Sequence, residues 1–559
     1  MVLASLLFAF TKASAVTNYT NTSGTTTISS GTFTSDIYIY PNVQVKITGT
    51  IYMGTQTTIH IKPGGELEVD GGTITGTGSY STNFGTPSRW WYGIDVESDP
   101  THTNGQPPAA NVIAMNHSLS TYGKGAVYIH NGATIEYSYE GISAPGFGGG
   151  TTPGGVIICE GTSATNVNFI NNYDQSIKFM SYRGNNCSYI TYCNFQFNGS
   201  YDEGHTANPG RAFIFAYGTV FEPQYPQKST FSYNTFELNS FVLPSGSTNY
   251  GDGMYGIYSN ECSYIANWNL FYKLFAGIFD NAINSMALIH NDNNNTGSND
   301  YLGIFESGAN YFSCIGNDFD LVGGTFTTTY ANSAGIYVTG GSCFTIQESI
   351  FGNDIAYTRI PAPFDWGIYA KNTGNYGNTV NYNWFSKIPT GVQSEGNNHG
   401  LLLSCNDFTL VYPNYNIAVT PGGLTTSPGK AGISNVQGTT YKSAANKFSE
   451  SCATSGTITW QDFYQDSHVN PVRYYYYPAT AYETPYVSGY SCYTNSGTSE
   501  VNIQSSSNDN SCALIPTTWF NIGNAIHNLN FEIAILPHSG GTDDQQASVA
   551  YLSTKNKFI

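Results

Sequence analysis

Residues 36–76 read DIYIYPNVQVKITGTIYMGTQTTIHIKPGGELEVDGGTITG, with apolar and polar positions alternating through almost the whole stretch. Ile37 and Ile39 recur as Ile59 and Ile61, 22 positions later; Val45 recurs as Leu67 at the same spacing, and Ile51 as Ile74 at 23. Alternation with period two describes strands with one buried face. A fixed period of this size means that each set of strands stacks on its own copy. The reading is an all-β chain, a right-handed parallel β-helix: short strands coiled around one long narrow core.

The same pattern extends in both directions. Residues 16–35 are rich in Thr, Ser and Asn and are expected to cap the open end of the coil, where strand edges would otherwise be unpaired. Residues 77–89 and 98–111 read as loops leaving the coil, with a return strand at Trp90–Val96 between them, and Pro145–Gly155 as another loop. From about 156 to 450 two marks recur. One is Gly before an aliphatic strand, as in Gly256-Ile257-Tyr258, Gly277-Ile278-Phe279, Gly303-Ile304-Phe305, Gly335-Ile336-Tyr337 and Gly367-Ile368-Tyr369. The other is Asn one or two places before an aromatic: Asn168-Phe169, Asn194-Phe195, then Asn234, Asn269, Asn317, Asn383 and Asn406, each two places before Phe. Asn tolerates left-handed backbone and can bond its neighbours in a stack, so these positions read as turns, with the aromatic packed inside. About fifteen coils at ~4.8 Å would make a rod about 70 Å long.

The chain divides into four parts. Residues 1–15, with an apolar run ending in Ala13-Ser14-Ala15, read as a signal peptide; 16–450 as the β-helix; 451–515 as a Cys- and Tyr-rich β cap; and 516–559 as an amphipathic helix and tail. In the last part Trp519, Ile522, Ile526, Leu529, Ile533 and Leu536 fall on one helical face. No apolar segment is long enough to span a bilayer.

Only 10% of the 559 residues are charged, and 19 Lys+Arg stand against 37 Asp+Glu for a net charge of −18. That balance excludes nucleic acid and anionic membrane surfaces, which require clustered Lys and Arg. Ten cysteines without a CxxC pair or zinc spacing suit an exported chain. Cys187 with Cys193, and the trio Cys452, Cys492 and Cys512, are the disulfide candidates, while Cys262, Cys314, Cys343 and Cys405 recur near one point of the repeat as candidate buried thiols.

The return strand Trp91-Tyr92-Gly93-Ile94-Asp95-Val96, the segment Asn131–Ser138, the Asn-x-Phe coils and Asn446–Cys452 resemble one family. So do Arg473–Pro478, Ser511-Cys512 and the helix followed by Gly540–Asp544. The family is that of the large secreted right-handed β-helix proteins of Bacteroidota, many of them exported by type IX secretion. Its members are usually longer and finish with a β-sandwich sorting domain, so this chain is expected to be the front part of a larger surface protein. The resemblance implies fold and an extracellular or cell-surface location; it implies no chemistry.

Candidate chemistry is sparse. Asp202, Glu203 and His205 form the densest acidic group and are the candidate catalytic residues, in a loop after a coil. Asp292, Asn294 and Asp300 alternate oxygen side chains around Gly297 and are the candidate Ca²⁺ ligands, though the closing bidentate Glu of a calcium loop is missing. No other cofactor is expected. Trp90, Tyr92, Tyr225 and Tyr475 are candidate sugar-stacking aromatics. The expected function is a non-catalytic rod presenting loops for adhesion or assembly, with a glycan, another surface protein or a second copy of itself as partner. The alternatives are a polysaccharide lyase or glycosidase, and a glycan-binding module. A groove of three or more carboxylates with Lys or Arg between them separates the enzyme from a flat, Asn/Thr-lined rod.

Overall fold

The structure is a computed structural model. It describes residues 16–20, 25–77, 90–102, 106–115, 118–145, 154–197, 211–221, 229–238, 254–282, 290–293, 296–298, 302–309, 312–320, 333–352, 366–386, 388–410, 415–424, 430–448, 461–466, 468–476 and 502–506. The signal peptide, the terminal helix, Cys452, Cys492 and Cys512 lie outside the described residues.

The repeat closes as read. Ile37 pairs with Ile59 and Ile39 with Ile61 in one parallel ladder. Val45 pairs with Leu67, and Ile51 with Ile74, in two others. The first ladder is a sheet of 15 parallel strands from Thr17–Tyr19 to Gln461–Gln465, the first face of the coil. A second face begins with Thr25–Ile28 on Gln44–Ile47 and runs through Glu66–Asp70 and Ala126–His130 to Leu401–Ser404. A third face runs from Ser30–Phe33 and Thr50–Met53 through Thr73–Gly76, Thr134–Glu136 and Val167–Ile170 to Asp407–Leu410. Three parallel faces around one apolar core make the chain a parallel β-helix.

Inward positions stay apolar along each ladder, aliphatic on the first face and aromatic on much of the third. On the first face Ile94, Ile142, Ile177, Ile214, Ile257, Ile278, Ile304, Ile336, Ile368, Val392 and Ile417 are all buried in one continuous core. On the third face the phenyl rings of Phe169, Phe195, Phe236 and Phe271 stack at 4.8–5.0 Å, and those of Phe319, Phe351, Phe385 and Phe408 at 4.7–5.5 Å. Gly297 takes the place of a ring between Phe271 and Phe319. The two repeat marks are complementary. A Cβ at Gly303, Gly335, Gly367 or Gly391 would lie 2.4–2.6 Å from the ring of Phe319, Phe351, Phe385 or Phe408 respectively. The glycines of the first face are the floor on which the third-face rings rest.

The corner between the second and third faces holds a buried asparagine ladder. Asn234 donates from N and Nδ2 to Asn269 Oδ1, at 3.2 and 3.1 Å. Asn383 does the same to Asn406 Oδ1, at 3.1 and 3.0 Å, and Asn406 to Asn446 Oδ1, at 3.0 Å each. Each Nδ2 also reaches a backbone carbonyl of the coil before, so the turn's polar groups are satisfied without water. The residue just before these asparagines has positive φ, as at Tyr233, Trp268, Tyr382, Cys405 and Ala445. Asn168 and Asn194 do not belong to this ladder. They sit one place before Phe, hence on the outward side of a strand, and bond each other there at 3.3 Å.

Several expectations are corrected. Thr17–Tyr19 and Thr25–Phe33, within the stretch expected to cap the coil, are themselves strands of its first turn and are poorly buried. The 98–111 loop leads into a short helix, Ala109–Ala114, whose Ala109 and Val112 cover outward Ala126, Val156 and Ile158 of the second face. The first face continues past residue 450 to Gln465, and Arg473–Tyr476 joins Val436–Gln437 and Asn502–Ser505 in a small parallel sheet. Cys187 and Cys193 are both free and buried. Cys193 lies in the core beside Cys159, and Cys187 packs under the short helix. Cys262 and Cys314 are buried thiols as expected, but Cys405 is disulfide-bonded rather than a thiol; Cys314 lies within a strand while Cys343 and Cys405 occupy left-handed turns, so the four share no single point of the coil.

One inward position breaks the apolar rule. Asp280 and Glu306 are register neighbours, both fully buried, and Ser259 Oγ donates to Asp280 Oδ1. Two carboxyl groups one rung apart repel if both ionise, and each loses hydration. Asp280→Asn keeps the shape and the acceptor for Ser259, and is expected to raise the thermal midpoint; a fall in a thermal melt would contradict this.

Candidate functional site

Outward residues of the first face form one row in register: Tyr38, His60, Asp95, Ser143 and Lys178, continuing as Phe215, Tyr258, Phe279, Phe305, Tyr337 and Tyr369. The row is charged at one end and aromatic at the other. In a chain with 10% charged residues the charged end is a marked concentration.

Lys62 Nζ lies 2.6 Å from Glu97 Oε1 and 5.2 Å above the Tyr38 ring. His60 stacks on Tyr38 at 4.6 Å and places Nδ1 3.3 Å from Glu97 Oε1 and 3.5 Å from Asp95 Oδ2. On the following coils Lys178 Nζ donates to Glu140 Oε1 at 2.6 Å. Asp174 directly precedes the strand of Lys178, and Arg211 directly precedes Ala212, the ladder partner of Gln175. The Arg211 guanidinium lies 4.4 Å from the centre of the Tyr173 ring.

This crowding moves two carboxyl groups the same way. Burial pushes the Asp95 carboxyl above its ordinary value, helped by the charges of Glu140 and Glu97 against those of His60 and Lys62. Burial also pushes Asp174 up, helped by Glu140 and opposed by Lys178 and Arg211. Glu97 goes the other way: burial acts to raise it, but hydrogen bonds from His60 and Lys62 bring it below the usual range. The site therefore holds carboxyl groups of unequal acidity beside fixed cations, an arrangement able to donate, accept and exchange protons with hydroxyl-bearing ligands.

A tyrosine cluster borders these charges. Tyr92, Tyr139 and Tyr173 sit at the corner entering successive first-face strands. Tyr139 packs on Tyr173 at 5.7 Å, Trp90 supports Tyr173 at 5.3 Å, and Tyr92 meets Tyr139 edge-on at 6.3 Å. Tyr92 is 41% exposed, whereas Trp90 is 1% exposed. Farther along the row, rings from Phe215 to Tyr369 stack on one another at 4.4–5.4 Å. Their faces are taken up by each other, so they brace the sheet and show edges to solvent rather than platforms.

Of the residues singled out in the sequence, Tyr92 lies in this site with an open ring. Trp90 lies beneath it as support, and Tyr475 is buried in its strand, so neither offers a stacking surface. Tyr225, Asp202, Glu203 and His205 lie outside the described residues, as do Asn294 and Asp300. Asp292 falls in the strand His290–Asn293, which pairs in the second face together with Thr296–Ser298 in the third, so the Asn-rich stretch contributes strands to the coil. Among the described residues, the side chains able to hold a metal ion together are Glu68, Asp70 and His130, on the second face. The charged row itself is invisible in the sequence. Its members are ladder neighbours separated by insertions of unequal length, and only the aliphatic register of Ile59, Ile94, Ile142, Ile177 and Ile214 could have aligned them.

No protein-family description and no curated protein matches the chain. Among solved structures it is similar to a tailspike protein of E. coli bacteriophage HK620, solved with a hexasaccharide, at 12% identity over 72% of each chain and a TM-score of 0.30. It is also similar to PfbA, a surface adhesin of Streptococcus pneumoniae, at 10% identity over 71% of this chain and 84% of that one, with a TM-score of 0.25. Likeness at this level concerns architecture. Among the described residues no helix is long and apolar enough to cross a membrane.

Proposed function

We propose that the protein is an extracellular β-helix rod that binds a glycan on its first face, between the Tyr92 corner and the row Asp95, Glu140, Asp174, Lys178. The observation that carries this reading is the pairing of an open tyrosine ring with a dense set of hydrogen-bonding charges on one side of successive coils. A sugar offers apolar C–H faces to stack on a ring and hydroxyls that both donate and accept, and this surface supplies partners for each.

The raised Asp95 and Asp174 carboxyls favour a second reading, in which the bound glycan is also cut by acid–base chemistry. Mass spectrometry of a polysaccharide incubated with the protein decides it. Soluble oligosaccharides that disappear with Asp174→Asn establish cleavage; binding without release leaves a binding rod.

Tyr92→Ala is expected to weaken glycan binding about tenfold, the usual scale for removing an aromatic ring from a binding centre. Its exposure means the thermal midpoint should hold. Affinity electrophoresis in polysaccharide gels measures the first and a melt the second. Unchanged retention would exclude this corner.

A further inference from the structure

A separate cluster lies on the second face, outside the site described above. Its residues come from three consecutive strands of one ladder: Lys46 on Gln44–Met53, Glu68 and Asp70 on Glu66–Asp70, and His130 on Ala126–His130. Glu68 is the register partner of Lys46, and Asp70 of His130. One donor atom each from Glu68, Asp70 and His130 falls within 4.8 Å of the others. His130 Nε2 is 3.0 Å from Glu68 Oε1, and His130 Nδ1 is 3.9 Å from Asp70 Oδ1.

Each side chain is oriented by a group that would not itself be a ligand. Gln44 Nε2 donates to Glu68 Oε2 at 3.1 Å, leaving Oε1 toward His130 and Lys46. Asn131 Nδ2 donates to Asp70 Oδ1 at 2.7 Å, leaving Oδ2. The Tyr128 ring stacks on His130 at 4.2 Å and 11°, fixing the imidazole plane. Tyr189 OH donates to Glu160 Oε2 at 2.9 Å, holding the next carboxylate along the ladder in its own pair. The two remaining oxygens both point at one cation. Lys46 Nζ lies 3.1 Å from Glu68 Oε1 and 2.6 Å from Asp70 Oδ2.

We propose that Glu68, Asp70 and His130 form a binding site for a divalent first-row transition ion such as Zn²⁺, with the Lys46 ammonium as the resident cation that the metal displaces. Carboxylate oxygen and imidazole nitrogen are both zinc donors, and donor atoms that already lie within 4.8 Å of one another need only a small closure to make metal bonds of about 2.0–2.2 Å. Outer hydrogen bonds of the kind seen at Glu68 and Asp70 are what hold such ligands in place. Lys46 reaches the site on a flexible stem and is partly exposed, so it can swing into solvent. Three protein ligands would leave the fourth position to water.

The test is calorimetric titration of the folded full chain with Zn²⁺ in a non-chelating buffer. Wild type should bind one ion that His130→Gln abolishes and His468→Gln, at an exposed position outside both clusters, leaves unchanged. Lys46→Met keeps the apolar stem and removes the competing charge, and should bind about tenfold more tightly. A purely structural ion-pair network predicts the opposite of this last result, since loss of Lys46 would only weaken the cluster. The proposal is overturned if neither wild type nor Lys46→Met binds Zn²⁺, if binding survives His130→Gln, or if Lys46→Met binds no more tightly than wild type. Ring-nitrogen NMR shifts of His130 on adding Zn²⁺ provide a second readout, and their absence would count equally against it.

Discussion

Asn406→Ala is expected to destabilise the β-helix by about 3–5 kcal/mol, among the largest effects of any single substitution in this chain. Asn406 is fully buried. Its Oδ1 accepts from the backbone N and the Nδ2 of Asn383, and its Nδ2 donates to Val380 O at 2.9 Å and to Asn446 Oδ1 at 3.0 Å. Alanine would take the acceptor from the backbone N of Asn383 and the Nδ2 donor from the carbonyl of Val380 in a buried turn, and each such loss costs about 1–3 kcal/mol. Aspartate should fare no better, because it keeps the acceptor but loses the donor and brings a charge. Urea unfolding followed by circular dichroism measures the change. A midpoint shift of only a few tenths of a molar would mean that the ladder is ornamental.

The second large effect concerns Gly335. A Cβ there would lie 2.5 Å from Cδ1 of Phe351 and 2.9 Å from the carbonyl oxygen of Gly367. The Phe351 ring cannot retreat, because it is held between Phe319 at 5.5 Å and Phe385 at 5.0 Å. Gly335→Ala should therefore cost about 2–3 kcal/mol through overpacking, although its backbone would accept alanine. Phe351→Leu alone should destabilise by leaving a gap in the stack. The double variant should be less destabilised than the sum of the two singles, because the smaller side chain makes space for the methyl group. Strict additivity would show that the glycine and the ring do not touch.

These two sites also show what a reader of the sequence can and cannot extract. The register of the first coils was legible, because Ile37 and Ile39 recur as Ile59 and Ile61 at one fixed interval before insertions of unequal length begin. The glycine and phenylalanine marks were each visible, but their contact was not, since it joins opposite faces of a coil. The asparagines were legible as turn residues at Asn234, Asn269, Asn383 and Asn406. The same motif misled at Asn168 and Asn194, where one residue less before the phenylalanine turns the side chain outward.

The functional face was harder to see. Composition announces that charges are few, and nothing in it says that His60, Lys62, Asp95, Glu97, Glu140, Asp174, Lys178 and Arg211 share one side. Loops of different lengths lie between them, so no spacing rule collects them; only the stacking does. The stacked rings from Tyr258 to Tyr369 were present in the sequence as the third residue of each Gly-Ile-aromatic triplet, and periodicity alone leaves open whether a ring lies inside or outside. Their outward position became clear from the alternation with buried Ile257, Ile278 and Ile304.

Glycan binding is expected on the first face. The most direct test is retention of the wild-type protein on a panel of immobilised extracellular polysaccharides, alongside a folded double variant carrying Tyr92→Ala and Lys178→Gln. At least one polysaccharide should retain the wild type, and the double variant should elute with the unretained fraction. Equal retention of the two proteins, or no retention of well-folded wild type by any polysaccharide, would contradict the claim.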